Sequence, residues 1–213
     1  LKIKDRILIR NLTKNIKKNY NLIFLNVYSK FYCEGLREIF EKKIYDFFRV
    51  GKKDIVYDIG AGGGEYSISC AKKGAECLAF ELRRDAYDIM NKNIELNNFK
   101  DKIKTFHIKI NDKNNLDYYF LKNKKFPTII KIDVEGMERG VLKGSKKILK
   151  ETNLKIILET HSKKLKEDCL DFLFKFGYKI KKDIKIEDKT NLLFLEKDLK
   201  IISPIPNVPA NSP

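Results

Sequence analysis

Asp54-Ile-Val-Tyr-Asp58-Ile-Gly60-Ala-Gly62-Gly-Gly64-Glu65 decides how this chain is read. A short apolar run ends in a carboxylate, passes through a glycine turn and enters a segment with helical spacing. That order builds a strand, a tight loop and a helix N-terminus, the parts of a nucleotide-type pocket. Glycine permits positive φ in the turn and lets a ligand approach without a Cβ clash. A dinucleotide fingerprint counted from Gly60 requires glycine at 60, 62 and 65, but position 65 is glutamate. A phosphate loop requires Gly-Lys-Ser/Thr, which does not follow here. An acid that holds ribose hydroxyls is expected at the end of the next strand, about 20 residues on. Ala75-Glu-Cys-Leu-Ala-Phe-Glu81 places Glu81 there. The bland alternative is a glycine-rich turn in some other α/β protein; glycine spacing and downstream acid agree independently against it.

Around this stretch strand and helix patterns alternate. Strands are predicted at 54–59, 75–81, 102–110, 127–134, 154–160, 178–186 and 191–197, and helices at 65–73, 85–97, 137–151 and 163–176. The last helix carries Leu165, Cys169, Phe172, Leu173 and Phe176 as a 3.6-period stripe. Such alternation argues for a mostly parallel sheet with helices on both faces. The final two strands have no helix between them and should form an antiparallel hairpin. Upstream, residues 1–20 show helical spacing and 21–28 an apolar run. Leu36, Ile39, Phe40, Ile44, Phe47 and Phe48 trace one helical face, with Gly51 as its C-cap. The domain reading is therefore an N-terminal helical cap at 1–50, a cofactor-binding domain at 51–202 and a Pro-rich tail at 203–213.

The second strong signal is Pro127-Thr-Ile-Ile-Lys131-Ile-Asp133-Val-Glu135-Gly136-Met-Glu138. Ligands of open α/β sheets bind outside the carboxyl ends of the strands, which brings Asp133 and Glu135 towards the cofactor. Strand alternation puts both on one side, provided the extended geometry persists. Glu138 favours the N-terminal turn of its helix, a structural role. Asn111 and Asp112 follow the third strand as adenine contacts or as a plain turn. His107, inside an apolar strand, reads as structural.

Asp58-x-Gly60-x-Gly62-x-Gly64 resembles the first motif of class I S-adenosylmethionine-dependent methyltransferases. Together with Ala79-Phe-Glu81, Lys131-Ile-Asp133-Val-Glu135-Gly136-x-Glu138 and Ile157-Leu-Glu159-Thr-His161, it resembles the FkbM family over residues 54–178. Two positions depart from that pattern: Leu82 replaces the usual proline after the acid, and Gly63-Gly64 alters the loop. The resemblance implies a Rossmann-like, seven-stranded fold closing with the antiparallel hairpin. It also implies S-adenosyl-L-methionine held by Asp58, Gly60, Ala61, Gly62, Gly64, Glu81, Leu82, Asn111, Asp112 and Asp133. Family members resembling this chain are typically O-methyltransferases of sugars and similar metabolites.

The reaction centre is expected at Asp133, Glu135, Glu159 and His161. Methylation of base nitrogen commonly uses Asn/Asp-Pro-Pro-aromatic where this chain has Asp133-Val-Glu-Gly. Aspartate titrates near ~3.9 and water near ~15.7, so full deprotonation of a hydroxyl by Asp133 alone is uphill by about 16 kcal/mol. A base positioned during transfer, or a bound cation, must therefore help. His161, ordinarily near ~6.5, is the better base on this reading. Whether a divalent metal takes part is left open.

Hydrophobic residues make up 43% of the 213, enough for a core. No apolar run approaches the ~20 residues of a membrane span, and no signal-peptide pattern is present. A cytoplasmic protein is the expectation. Cys33, Cys70, Cys77 and Cys169 lack metal-site spacing and read as free thiols. The net charge of +16 rests on 45 basic residues, only seven of them arginine. Compositional bias toward lysine outweighs a polyanion partner as its explanation. The preferred partner is thus a glycan or small-molecule hydroxyl acceptor. RNA, met by the basic N-terminal arm, is second, and a non-catalytic binding module is third.

Overall fold

The computed structural model describes residues 36–123, 125–186 and 188–197. The patterns at 1–20 and 21–28, Cys33 and the tail at 203–213 lie outside the described residues.

Seven strands form one sheet: β1 Ile55–Ile59, β2 Glu76–Glu81, β3 Ile103–His107, β4 Ile129–Ile132, β5 Lys155–Thr160, β6 Tyr178–Lys185 and β7 Asn191–Lys197. Their order is β3-β2-β1-β4-β5-β7-β6, with β7 antiparallel to both neighbours and the remaining pairs parallel. This is the expected class I methyltransferase topology with its closing hairpin. The inner strands are apolar on both faces because helices cover both. Val56 and Ala79 belong to one core cluster, while Tyr57, Leu78 and Ile130 belong to the other.

The helices are α1 Glu65–Lys72, α2 Arg84–Leu96, α3 Leu116–Asn123, α4 Glu138–Lys143, α5 Lys146–Glu151 and α6 Lys163–Phe174. Three expectations need correction. The single helix at 137–151 is two helices, α4 and α5. They break at Gly144, where a Cβ would collide with the Asn111 carbonyl. The strand at 102–110 is shorter, and α3 follows it. The stripe from Leu36 to Phe48 is not one helix. Residues 36–40 are helical, Lys43 turns left-handed at φ 50°, and a 3-10 helix follows at Ile44–Phe47. That turn lets Leu36, Tyr45 and Phe48 all enter the same core. Gly51 caps no helix; its N–H donates to Asp54 Oδ2.

Among the described residues no helix is long and apolar enough to cross a membrane. Cys70, Cys77 and Cys169 are buried free thiols, as expected.

Candidate functional site

The sheet order reverses direction between β1 and β4, since β2 lies on one side of β1 and β5 on the far side of β4. A crevice opens at such a switch point, outside the carboxyl ends of the strands. Here it is a cavity of about 710 Å3.

One wall is the turn after β1. The Gly60 and Ala61 N–H groups both donate to the Phe80 carbonyl at the end of β2. Gly60, Gly62 and Gly64 all have positive φ, at 80°, 58° and 86°. Glu81 completes this wall: its Oε2 accepts from Gly62 N–H at 2.9 Å and its Oε1 from Arg83 N–H at 2.7 Å. A carboxylate oxygen has two lone pairs, so each retains one for a further donor such as a ribose hydroxyl. Gly60, Ala61, Gly62, Glu81 and Leu82 line the cavity, Leu82 from a half-exposed position; Gly64 instead begins α1.

Beneath the turn lies a charged layer that the sequence reading missed in part. Asp58 is fully buried and sits in register beside Lys131 of β4. Ser67 Oγ donates to Asp58 Oδ2 at 2.7 Å. Lys131 Nζ lies 3.4 Å from Asp58 Oδ1, 3.3 Å from Asp133 Oδ2 and 3.2 Å from the Gly60 carbonyl. Burial raises the Asp58 carboxyl above its usual range, opposed by Lys131 and Ser67. Burial alone would lower the lysine's affinity for its proton, but the charges of Asp58 and Asp133 outweigh it and raise that affinity above the ordinary value. Asp58 is thus not among the residues lining the cavity; it anchors Lys131 and α1 under the turn.

Beside that turn the cavity wall also gathers Asp133, Glu159 and His161. His161 Nε2 is 3.7 Å from both Asp133 Oδ1 and Glu159 Oε1. His161 Nδ1 is 3.0 Å from Glu138 Oε1, which also accepts the Gly136 N–H. Tyr45 donates to Glu159 Oε2 at 2.6 Å from the segment before β1. Burial, and next the Asp133 charge, push Glu159 up to about 7. The Glu138 hydrogen bond, with Asp133 adding to it against the effect of burial, pushes His161 up to about 9. With no cation beside it, the ring holds its proton more tightly than an ordinary histidine, which weighs against the expectation of His161 as the neutral-pH base. For Glu138, burial would raise the carboxyl, yet the bonds from His161 and Gly136 bring it below its ordinary value. Glu138 is therefore more than a helix-end charge, because it orients His161.

A raised histidine affinity stabilises the fold fully below the unfolded value near 6.5, and this contribution fades as pH climbs through about 9. In Glu138→Gln the partner charge is gone. The His161 ring resonances should then titrate at least one unit lower by NMR, and the stability loss between pH 6.5 and 9 should flatten.

The remaining expected residues differ in their placement. β4 ends at Ile132 and Glu135 turns left-handed at φ 48°, so alternation stops, yet Glu135 still lines the cavity from an exposed position. Asn111 does not reach the cavity wall, because its side-chain oxygen accepts from the Lys113 and Asn114 N–H groups in a local turn. Asp112 is exposed beside it. Ile108, Lys109 and Ile110 line that side instead. His107 ends β3 exposed, its Nε2 3.0 Å from the Leu82 carbonyl. Lys131, Tyr45 and the buried Glu65 line the cavity without having been singled out. An otherwise apolar strand interrupted by one lysine was the available signal for Lys131.

The profile of the methyltransferase FkbM domain matches residues 16–180. Two curated relatives carry the name tRNA (guanine(37)-N(1))-methyltransferase. The one from Plasmodium knowlesi is 36% identical over 85 residues, 40% of this chain. The one from Aedes aegypti is 30% identical over 112 residues, 53% of this chain. The chain spans only 11% and 18% of the length of these relatives. Among solved structures, precorrin-6y C5,15-methyltransferase from Geobacter metallireducens superposes with a TM-score of 0.58 at 15% identity, covering 85% of this chain and 94% of that one. A Streptococcus pneumoniae protein in complex with S-adenosyl-L-methionine superposes with a TM-score of 0.56 at 18% identity, covering 76% and 73%. These likenesses show the shared fold.

Proposed function

The chain belongs to the FkbM-domain methyltransferase family, and on that premise we propose that it moves a methyl group from S-adenosylmethionine to a hydroxyl oxygen of a sugar or small metabolite. The observation that carries this reading is a single cavity with two chemically distinct walls. The glycine turn and Glu81 form the wall suited to the cofactor. Asp133, Glu159 and His161 form the wall suited to a hydroxyl.

The residues present fit the cofactor. Positive φ at Gly60 and Gly62 keeps the turn free of side chains where a nucleoside must approach. Glu81 keeps acceptor capacity for the two ribose hydroxyls. The bound cofactor supplies an electrophilic methyl on a cationic sulfur. Lys131 holds Asp133 in place from below, and Tyr45 holds Glu159 from the side. With no cation bound, Asp133 and Glu159 would accept the hydroxyl proton during transfer, and His161 would offset their mutual repulsion. Alignment of oxygen with the methyl group supplies much of the acceleration.

The RNA reading is kept because the two curated relatives are named as tRNA methyltransferases and the net charge is +16. Calorimetry with S-adenosylmethionine, followed by a labelled-methyl screen of glycans, small hydroxyl compounds and RNA, tests both. A small hydroxyl acceptor should be methylated with little salt dependence. Methylation confined to RNA, with affinity falling steeply as salt rises, would replace the preferred reading. Cofactor binding with no labelled product would leave a binding module. Glu81→Ala should weaken cofactor affinity by about 10- to 100-fold, the effect of losing charge-assisted hydrogen bonds.

A further inference from the structure

We propose that Asp133 Oδ1, Glu159 Oε1 and His161 Nε2 form a binding site for one divalent transition-metal ion at the acceptor wall. The inference rests on the methyltransferase reading for its purpose, but not for its geometry. Each of the three residues brings a donor atom within 4.8 Å of those of the other two, and Nε2 lies 3.7 Å from both Asp133 Oδ1 and Glu159 Oε1. A first-row ion with bonds near 2.1 Å spaces neighbouring ligands about 3.0–3.4 Å apart, so small side-chain rotations would close the set.

Three further features separate this site from an ordinary acidic cluster. First, each ligand's other polar atom is pinned. Asp133 Oδ2 is held by Lys131, Glu159 Oε2 by Tyr45 and His161 Nδ1 by Glu138. Such outer partners fix the orientation of metal ligands, and a carboxylate behind a histidine is the recurring form. Second, His161 Nε2 stands 3.7 Å from both carboxylate oxygens, too far to hydrogen-bond with either. Third, Glu138 is fully buried, and its Oε2 has no hydrogen-bond partner among the described residues. Its charge is answered mainly through the imidazole, which strengthens Nε2 as a ligand.

One nitrogen and two carboxylate oxygens suit Mn2+, Fe2+, Co2+ or Zn2+ better than Mg2+ or Ca2+. Three protein ligands leave coordination positions open, as in catalytic sites. A cation there would displace the proton from His161 Nε2 and, beside the acceptor hydroxyl, lower the cost of removing that group's proton. That answers the gap of about twelve pKa units between an aspartate and a hydroxyl.

The test uses the full chain, stripped with chelator and titrated with Mn2+ while the free-ion EPR signal is followed, without S-adenosylmethionine. One saturable site per chain is expected. Glu159→Gln and His161→Gln should each lose at least 10-fold in Mn2+ affinity, and Glu138→Gln about 10- to 100-fold although it supplies no ligand. Cofactor affinity of these variants should stay within threefold of the parent. No saturable site for Mn2+ or Zn2+ on the parent protein overturns the proposal, and that result needs no variant to fold. Parent-like Mn2+ affinity in folded Glu159→Gln and His161→Gln overturns it equally. Metal binding without cofactor binding would keep this site while removing the transferase reading.

Discussion

Gly60→Ala should abolish cofactor binding and lower the melting temperature by about 10 °C. At φ 80° a Cβ at this position would overlap the Asp133 carbonyl oxygen, with Val134 Cγ1 close behind. The obstacle is backbone, which cannot rotate away. Left-handed φ costs an alanine about 1–2 kcal/mol, and forced overpacking adds about 1–3 kcal/mol. The chain can respond only by pulling the β1 turn away from the end of β4, which misplaces Asp133 and opens the Gly60 and Ala61 bonds to Phe80. Thermal unfolding and S-adenosylmethionine calorimetry measure both effects. Gly51→Ala is the control, since a Cβ there meets nothing within 4 Å. Parent-like cofactor affinity in Gly60→Ala would show that this turn does not shape the pocket.

Lys131→Met should destabilise the fold by about 3–5 kcal/mol, the cost of leaving buried charge unpaired. Methionine keeps the length of the stem but removes the ammonium that serves Asp58, Asp133 and the Gly60 carbonyl together. The sign of the pH dependence follows from Asp58. Its folded-state affinity for a proton is already raised by burial, and losing Lys131 raises it further. A group of that kind contributes stability at low pH that disappears as pH rises. The gap between variant and parent should therefore narrow as pH falls towards 4 and widen above pH 6, read by denaturant unfolding. Adding Asp58→Asn should recover part of the loss, because it removes the stranded charge. A gap independent of pH would mean that Lys131 acts by packing rather than by charge.

The turn at Gly60–Gly64, Glu81 and the strand ends at Asp133, Glu159 and His161 were legible because each depends on local order: apolar run, acid, glycine. What sequence did not reveal depends on distance. Tyr45 and Glu159 are 114 residues apart and meet only through the fold. Lys131 was one lysine in a chain with 45 basic residues, and only its place inside an apolar strand marked it out. Helix α3 shows only Leu116 and Phe120 on its buried face, too few for a periodic stripe. The roles of His161 and Glu138 were exchanged in emphasis. Nothing local announces that Glu138 fixes a ring 23 residues away and raises its affinity for a proton.

The bond from Tyr45 to Glu159 couples the stretch preceding the sheet to whatever occupies the acceptor wall. Linkage runs both ways: an occupant that needs Glu159 in place must tighten the seating of Tyr45, and loosening that seating must weaken the occupant by the same factor. Amide exchange in residues 36–48 therefore serves as a remote gauge of occupancy, readable before any substrate has been identified.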